Sequence, residues 1–255
     1  MKILVGTEVD SVSRPMIYDR YSENAVSLYR ENDYCRYRAL ELVCEQIGDR
    51  PGSVAEAGVA HGDFAFMINR CFPDRKLFLY DTFEGHDKKD AEYQARQGYY
   101  DEDGDSLPPP PLGSVGEHIS REIKDAYTQA LSKQLKRPVS SLASEMVAFV
   151  KTQMPFPERC IFRVGYFPET AAPDTDETFV FVSLDMNFYK PIYAGLEFFY
   201  PRLQEGGYIF IHDYNVTQDG RLGGLKDAVR DAEKALGPLK KFPLPDWAGT
   251  LVITK

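Results

Sequence analysis

The sequence predicts an α/β domain built on a mostly parallel sheet, and three observations carry that expectation. Short apolar, β-branched and aromatic runs end in an acid at residues 76–81, 179–185 and 206–213, the pattern of buried parallel strands. Strand ends pass directly into helical spacing, as where Pro191 suits a first turn and Ile192, Leu196 and Phe199 fall on one face. A glycine-containing turn, Glu56 to Gly62, joins a further strand to a helix with Phe64, Met67, Ile68 and Cys71 on one side. With 255 residues, 43% of them hydrophobic, the chain can bury one large core, so a single domain over 1–255 is expected.

Taken in order, residues 21–47 read as a helix whose stripe is Leu40, Val43, Cys44 and Ile47, stopped by the Gly48 to Gly52 turn with its proline. That helix makes residues 1–50 an N-terminal cap. Ser53 opens the strand before the glycine turn, and Asp63 suits the N-cap of the helix after it. Pro73 to Arg75 turns the chain into the strand that ends at Asp81. From His86 to Arg137 the composition changes to charge and proline, with Asp101 to Asp105, then Pro108 to Pro111, then a polar helical stretch over 117–136. Such an insertion is expected to stay outside the core, as a mobile lid or a surface loop; its departure from a ligand-bearing strand end favours the lid. A helix over 140–153 and a strand over 160–164 follow, and then the strands that end at Asp185 and Asp213. Leu225, Ala228, Val229, Ala232 and Leu236 mark a helix after the Gly223–Gly224 pair, and residues 250–254 a last strand.

A net charge of -9 lacks the basic footprint that nucleic-acid binding requires, so a neutral or cationic small molecule is the better ligand class. No apolar run has the length of a signal peptide or a membrane span, which leads to a cytoplasmic expectation with no membrane partner. A homo-oligomer is kept among the possible partners. Cys35, Cys44, Cys71 and Cys160 form no C-x-x-C pair, so reduced thiols in the packing are expected.

The Glu56 to Gly62 turn, followed by Asp81 in the place of a ribose-binding acid, has the outline of a nucleotide site. A dinucleotide pyrophosphate needs glycine where Glu56 stands, whereas the cationic, phosphate-free S-adenosylmethionine tolerates the carboxylate. A structural turn in which Glu56 only caps is the other reading, and His61 reads as a surface turn residue. Asp185, His212 and Asp213 converge if their strands are neighbours, which would make a divalent-metal site of two carboxylates and an imidazole. Alternatively Asp213 caps a turn and His212 is a hydrogen-bonded interior histidine. Tyr189 and Tyr214 read as packing residues at the pocket edge, and Asn187 as a turn former or substrate contact.

Several stretches together resemble the macrocin and mycinamicin sugar O-methyltransferase family: Asp33 to Leu42, Val54 to Val59, Tyr80 to Gly85, Gly165 to Thr170, Leu184 to Pro191 and Phe199 to Tyr214. The resemblance implies a Rossmann-like class I S-adenosylmethionine fold with an antiparallel C-terminal strand. It places Glu56, Gly58 and Gly62 at the methionine end, Asp81 on the ribose, and Tyr166 and Phe167 near the adenine. Val59, Thr82, Phe83, Gly165 and Asp185 complete the implied cofactor contacts. The family's magnesium acids match Asp185, His212 and Asp213. The chain departs from the family where Asn187 replaces an acid after Asp185 and where His212 replaces the first of two adjacent acids; an imidazole shifts preference from Mg2+ toward Mn2+.

The function expected is methyl transfer from S-adenosylmethionine to a hydroxyl of a sugar, glycosylated or phenolic metabolite, metal-assisted, in natural-product or polysaccharide biosynthesis. Asp185 and His212 are the candidate catalytic residues, with His86 or His118 as more remote bases. A nicotinamide-dependent oxidoreductase and a non-catalytic S-adenosylmethionine-binding protein remain as alternatives.

Overall fold

The computed structural model describes residues 27–90, 93, 99–100, 106–107, 114–215, 224–246 and 248–255. The acidic run 101–105, the proline run 108–111 and the start of the expected cap lie outside these residues. The elements in chain order begin with α1 (Ser27–Ile47), β1 (Ser53–Ala57), α2 (Asp63–Cys71) and β2 (Leu77–Asp81). A two-stranded ribbon, β3 (Tyr99–Tyr100) and β4 (Ser106–Leu107), precedes α3 (Ser114–Leu135) and α4 (Leu142–Gln153). The remainder is β5 (Cys160–Val164), β6 (Phe179–Leu184), α5 (Tyr189–Arg202), β7 (Leu203–Ile211), α6 (Leu225–Leu236), β8 (Lys240–Pro243) and β9 (Leu251–Thr254).

Seven strands form one sheet in the order β5-β2-β1-β6-β7-β9-β8. β5, β2, β1, β6 and β7 run parallel, and β9 is antiparallel to both of its neighbours. This is the doubly wound class I methyltransferase fold expected from the sequence. The order reverses at β1, flanked by β2 on one side and β6 on the other, and such a reversal opens a crevice beyond the carboxyl ends of the strands.

Side-chain alternation along the strands builds two cores. Leu77 and Leu79 of β2 face α1, α2 and α4, whereas Phe78 and Tyr80 face α5 and α6. β6 breaks the alternation: the register shifts between Phe179 and Phe181, so Val180 and Phe181 join one core and Phe179 and Val182 the other. On the α5 face Phe179, Tyr80 and Phe167 surround Phe199 at ring centroid separations of 5.0, 5.8 and 5.7 Å. Such pairs contribute about 0.5–1.5 kcal/mol each beyond area burial.

Three expectations need correction, and one element was not foreseen. The insertion contributes to the core: Leu131 of α3 is fully buried, because Tyr127, Leu131 and Leu135 recur at four-residue spacing in an otherwise polar helix. Asp63 begins α2 rather than capping it; the cap is Gly62, in the left-handed region with φ 82°. β7 starts at Leu203, ahead of the Gly206–Gly207 pair that was expected to open it. β8 escaped notice because Lys-Lys-Phe-Pro has no strand pattern; it is an exposed edge strand, where lysine and proline discourage pairing with another chain.

Candidate active site

The crevice at the β1 switch point is a cavity of about 330 Å³, walled by residues that follow β1, β2, β5, β6 and β7 and by parts of α1 and α3. Backbone hydrogen bonds continue the sheet into its floor, from Gly58 N–H to Tyr80 O and from Asp185 N–H to Ala57 O. Gly58 is required here: at φ 89° a Cβ would stand 2.2 Å from the Asp185 carbonyl oxygen. Four non-glycine residues of the surrounding loops are also left-handed: Ala60 (φ 48°), Phe83 (φ 55°), Asn187 (φ 63°) and Asp213 (φ 54°). Backbone strain of this kind concentrates at functional sites.

Asp185, His212 and Asp213 meet as the neighbouring strands require. His212 Nδ1 lies 3.1 Å from Asp185 Oδ1 and 3.4 Å from Asp213 Oδ2. One ligand atom from each residue falls within 4.8 Å of the others. Arg36 Nη1 donates to the second Asp185 oxygen, Oδ2, at 3.1 Å. Burial opposes charge on His212, but the Asp185 carboxylate overrides it and pushes the imidazole up to about 11. Burial likewise opposes ionisation of Asp185, yet His212 and Arg36 hold its carboxyl well below the usual range.

Arg36 is the residue that sequence reading missed. Its side chain is only 4% exposed and its guanidinium lies 4.2 Å from the Phe64 ring centroid. A signal was present, since Arg36 stands in line with Leu40, Val43 and Ile47 on the buried face of α1.

Glu56 is 1% exposed, and its Oε2 has no hydrogen-bond partner among the described residues. Burial, reinforced by the Asp185 charge, raises its carboxyl well above the ordinary value against the pull of Arg36. Asn187 Oδ1, also in the cavity wall, is another buried oxygen with no partner among the described residues. Asp81 is more occupied than a ribose acid was expected to be. Its Oδ2 accepts the N–H groups of Val59 and Ala60 at 2.6 and 2.9 Å, and its Oδ1 that of Phe83 at 2.6 Å. Thr82 Oγ1 donates to Gly85 O at 2.5 Å and shapes the loop that follows.

Glu56, Gly58, Val59, Asp81, Thr82, Gly165, Tyr166, Phe167, Asp185, His212 and Asp213 all line the cavity. Gly62 and Phe83 do not. A Cβ on Gly62 would meet Val150 Cγ1 at 2.8 Å, so this glycine lets α2 pack on α4. Phe83 is fully buried beside Phe162, and only its backbone serves the site. Phe167 is 5% exposed and stacked on Phe199, so it offers an edge of the wall rather than a free face. Tyr166 donates to Asp90 Oδ1 at 2.8 Å, and burial pushes the Asp90 carboxyl up to about 6. His61 and His86, treated in the sequence as a surface residue and a remote one, both belong to the wall; His118 falls where no side chain is described. Tyr189 and Tyr214 pack on the second core instead of lining the cavity.

Residues 128–250 match the model of the macrocin-O-methyltransferase (TylF) family. The match marks an O-methyltransferase. The resemblance to that family read from the sequence is thereby found, over a stretch that carries Tyr166, Asp185, His212 and Asp213 but not Glu56 or Asp81. Two solved structures share the fold of this O-methyltransferase. The O-methyltransferase NovP aligns with TM-score 0.62 and 18% identity over 94% of this chain and 93% of its own. CalS11, a calicheamicin methyltransferase, aligns with TM-score 0.53 and 17% identity over 91% and 87%. No curated protein matches the sequence. No helix among the described residues is long and apolar enough to cross a membrane.

Proposed function

We propose that the chain moves the methyl group of S-adenosylmethionine to a hydroxyl of a sugar or sugar-bearing metabolite. The observation that carries the reading is Glu56: a buried carboxyl with an unpartnered oxygen, at the strand-end turn where a dinucleotide enzyme would need glycine against its pyrophosphate. A phosphate-free ligand with a cationic ammonium and sulfonium supplies what Glu56 lacks. Three amide bonds to Asp81 hold the turn in shape and leave about one of the roughly four acceptor positions of the carboxylate for a ribose hydroxyl, with the Thr82 hydroxyl turned to Gly85 O. The sugar acceptor is supported by the match to the macrocin-O-methyltransferase family and by the likeness to CalS11, a calicheamicin methyltransferase in name.

The donor set of Asp185, His212 and Asp213 fits a divalent ion that tolerates nitrogen, in place of the proton on His212. When bound, such an ion would supply Lewis acidity toward the acceptor hydroxyl. Arg36 already compensates one Asp185 oxygen, so the site's charge balance does not depend on the ion. Within the 86–137 insertion, Tyr127 of α3 forms part of the cavity wall, so this helix would cover the crevice as a seated element rather than as a mobile one.

Calorimetric titration with S-adenosylhomocysteine and with NAD, each with and without Mg2+ or Mn2+, tests the assignment. S-adenosylhomocysteine should bind and NAD should not, and Mn2+ should bind more tightly than Mg2+. NAD binding with no response to S-adenosylhomocysteine would overturn the reading, and transfer undiminished by excess chelator would remove the ion from it.

A further inference from the structure

We propose that His86 is the general base that takes the proton from the acceptor hydroxyl, an inference that rests on the methyl-transfer reading above. His86 stands in the loop after β2, and its ring lines the same cavity as Asp81 and Asp185. It meets Phe188, the residue that caps α5, edge to face at 4.9 Å and 83°. Phe188 is 2% exposed and itself a cavity wall, so it fixes the plane of the imidazole. His86 is thus held between the acid of the expected ribose contact and the strand end that bears the Asp185 cluster.

The obvious bases are already engaged. His212 directs Nδ1 at two carboxylates, and the two Asp185 oxygens are shared between His212 and Arg36. His61 belongs to the glycine turn, and its ring packs against Tyr127 at 4.8 Å. His86 differs from these in environment. Burial pushes its pKa below the ordinary value, and the two carboxylates that act on it, Asp81 and Asp185, oppose that shift without reversing it. Arg36, Glu56, Asp63, Asp87, Asp90 and Asp213 are the further charged side chains lining this cavity, with Tyr37, Tyr80, Tyr127 and Tyr166 as the other titratable ones. A ring that is neutral near neutral pH offers one nitrogen as acceptor even when the other donates elsewhere.

The step balances. The hydroxyl oxygen forms its bond to the methyl carbon as the carbon–sulfur bond breaks, and that electron pair stays on sulfur as a neutral thioether. The hydroxyl proton passes to the imidazole, which becomes a cation in the field of Asp81 and Asp185. One positive charge leaves the sulfonium and one appears on His86, so the charge of the closed site is unchanged.

The test uses full-length His86→Gln, which keeps size and polarity but cannot accept the proton. S-adenosylhomocysteine affinity is measured by calorimetry, and transfer to p-nitrophenyl glycosides and to catechol is followed as S-adenosylhomocysteine release. The His86 ring is titrated by NMR in the S-adenosylhomocysteine complex. Affinity should stay within about twofold while transfer falls by about 10²–10⁴-fold, and the variant should lose the acidic limb of the wild-type pH profile. Transfer within about threefold of wild type would overturn the assignment, against the loss expected for a base. So would a loss of affinity that accounts for the lost transfer, or a ring protonated at neutral pH. If the wild type binds S-adenosylhomocysteine but methylates none of these probes, the ring titration decides by the same criterion. If it binds no S-adenosylhomocysteine, the methyl-transfer reading fails and the base with it.

Discussion

Replacing Arg36 by Met isolates the ion pair that closes the floor of the site. Methionine keeps an unbranched stem against Phe64 and Tyr37, so the change removes charge more than packing. Removing one partner from a buried pair costs about 3–5 kcal/mol, because the other charge is left uncompensated. Asp185 keeps His212 at 3.1 Å and its side chain is 20% exposed, which places the expected loss at the lower end, about 3 kcal/mol. Urea unfolding followed by circular dichroism should show a lower midpoint at unchanged slope, since compactness is unaltered. Adding Mn2+ should restore part of the loss in Arg36→Met, because an ion beside Asp185 replaces the missing cation. A loss below about 1 kcal/mol would show the pair to be no stronger than an exposed one and would refute the reasoning.

Glu56→Gln should stabilise the free protein near neutral pH while weakening S-adenosylmethionine binding. The folded carboxyl is raised above its ordinary 4.5, so its contribution is complete below that value and is lost as pH rises through the folded pKa. Melting temperatures of variant and wild type should therefore agree near about pH 4 and separate above it in favour of glutamine; parallel curves would contradict the burial argument. Gly62→Ala should cost about 2–4 kcal/mol, from the left-handed φ of 82° and the 2.8 Å approach to Val150, yet leave S-adenosylhomocysteine affinity unaltered in the folded protein. Selective loss of affinity without loss of stability would return this glycine to the cofactor site.

The sheet was legible because its strands carry period-two or wholly apolar runs that end in acids, and such ends collect at one edge of a parallel sheet. Asp185, His212 and Asp213 were predicted to converge from chain order alone, since β6 and β7 are consecutive and adjacent. What escaped were contacts between residues far apart in the chain. Arg36 finds Asp185 across 149 positions, and a charged side chain on a helix reads as solvated unless its place in the apolar stripe is weighed. Gly62 and Phe83 were placed at the cofactor by the family resemblance; here the Gly62 backbone faces Val150 of α4 and the Phe83 ring packs on Phe162, contacts between residues far apart in the chain that the sequence does not display. Tyr127 and Leu131 were hidden by the polar composition around them, which described the exposed face of α3 and masked the buried one.

The seating of α3 has a consequence for how this protein can diverge. Leu131 sits in the central packing and Tyr127 closes on His61 of the glycine turn, so one helix is shared by the scaffold and by the crevice. A change of acceptor range that proceeds by remodelling or shortening this segment would disturb the turn that carries Glu56 and Gly58 as well. If that turn holds the methyl donor as proposed, a change of acceptor range would be coupled to retention of the donor, and the freer variation should fall ahead of Ser114 rather than on the helix.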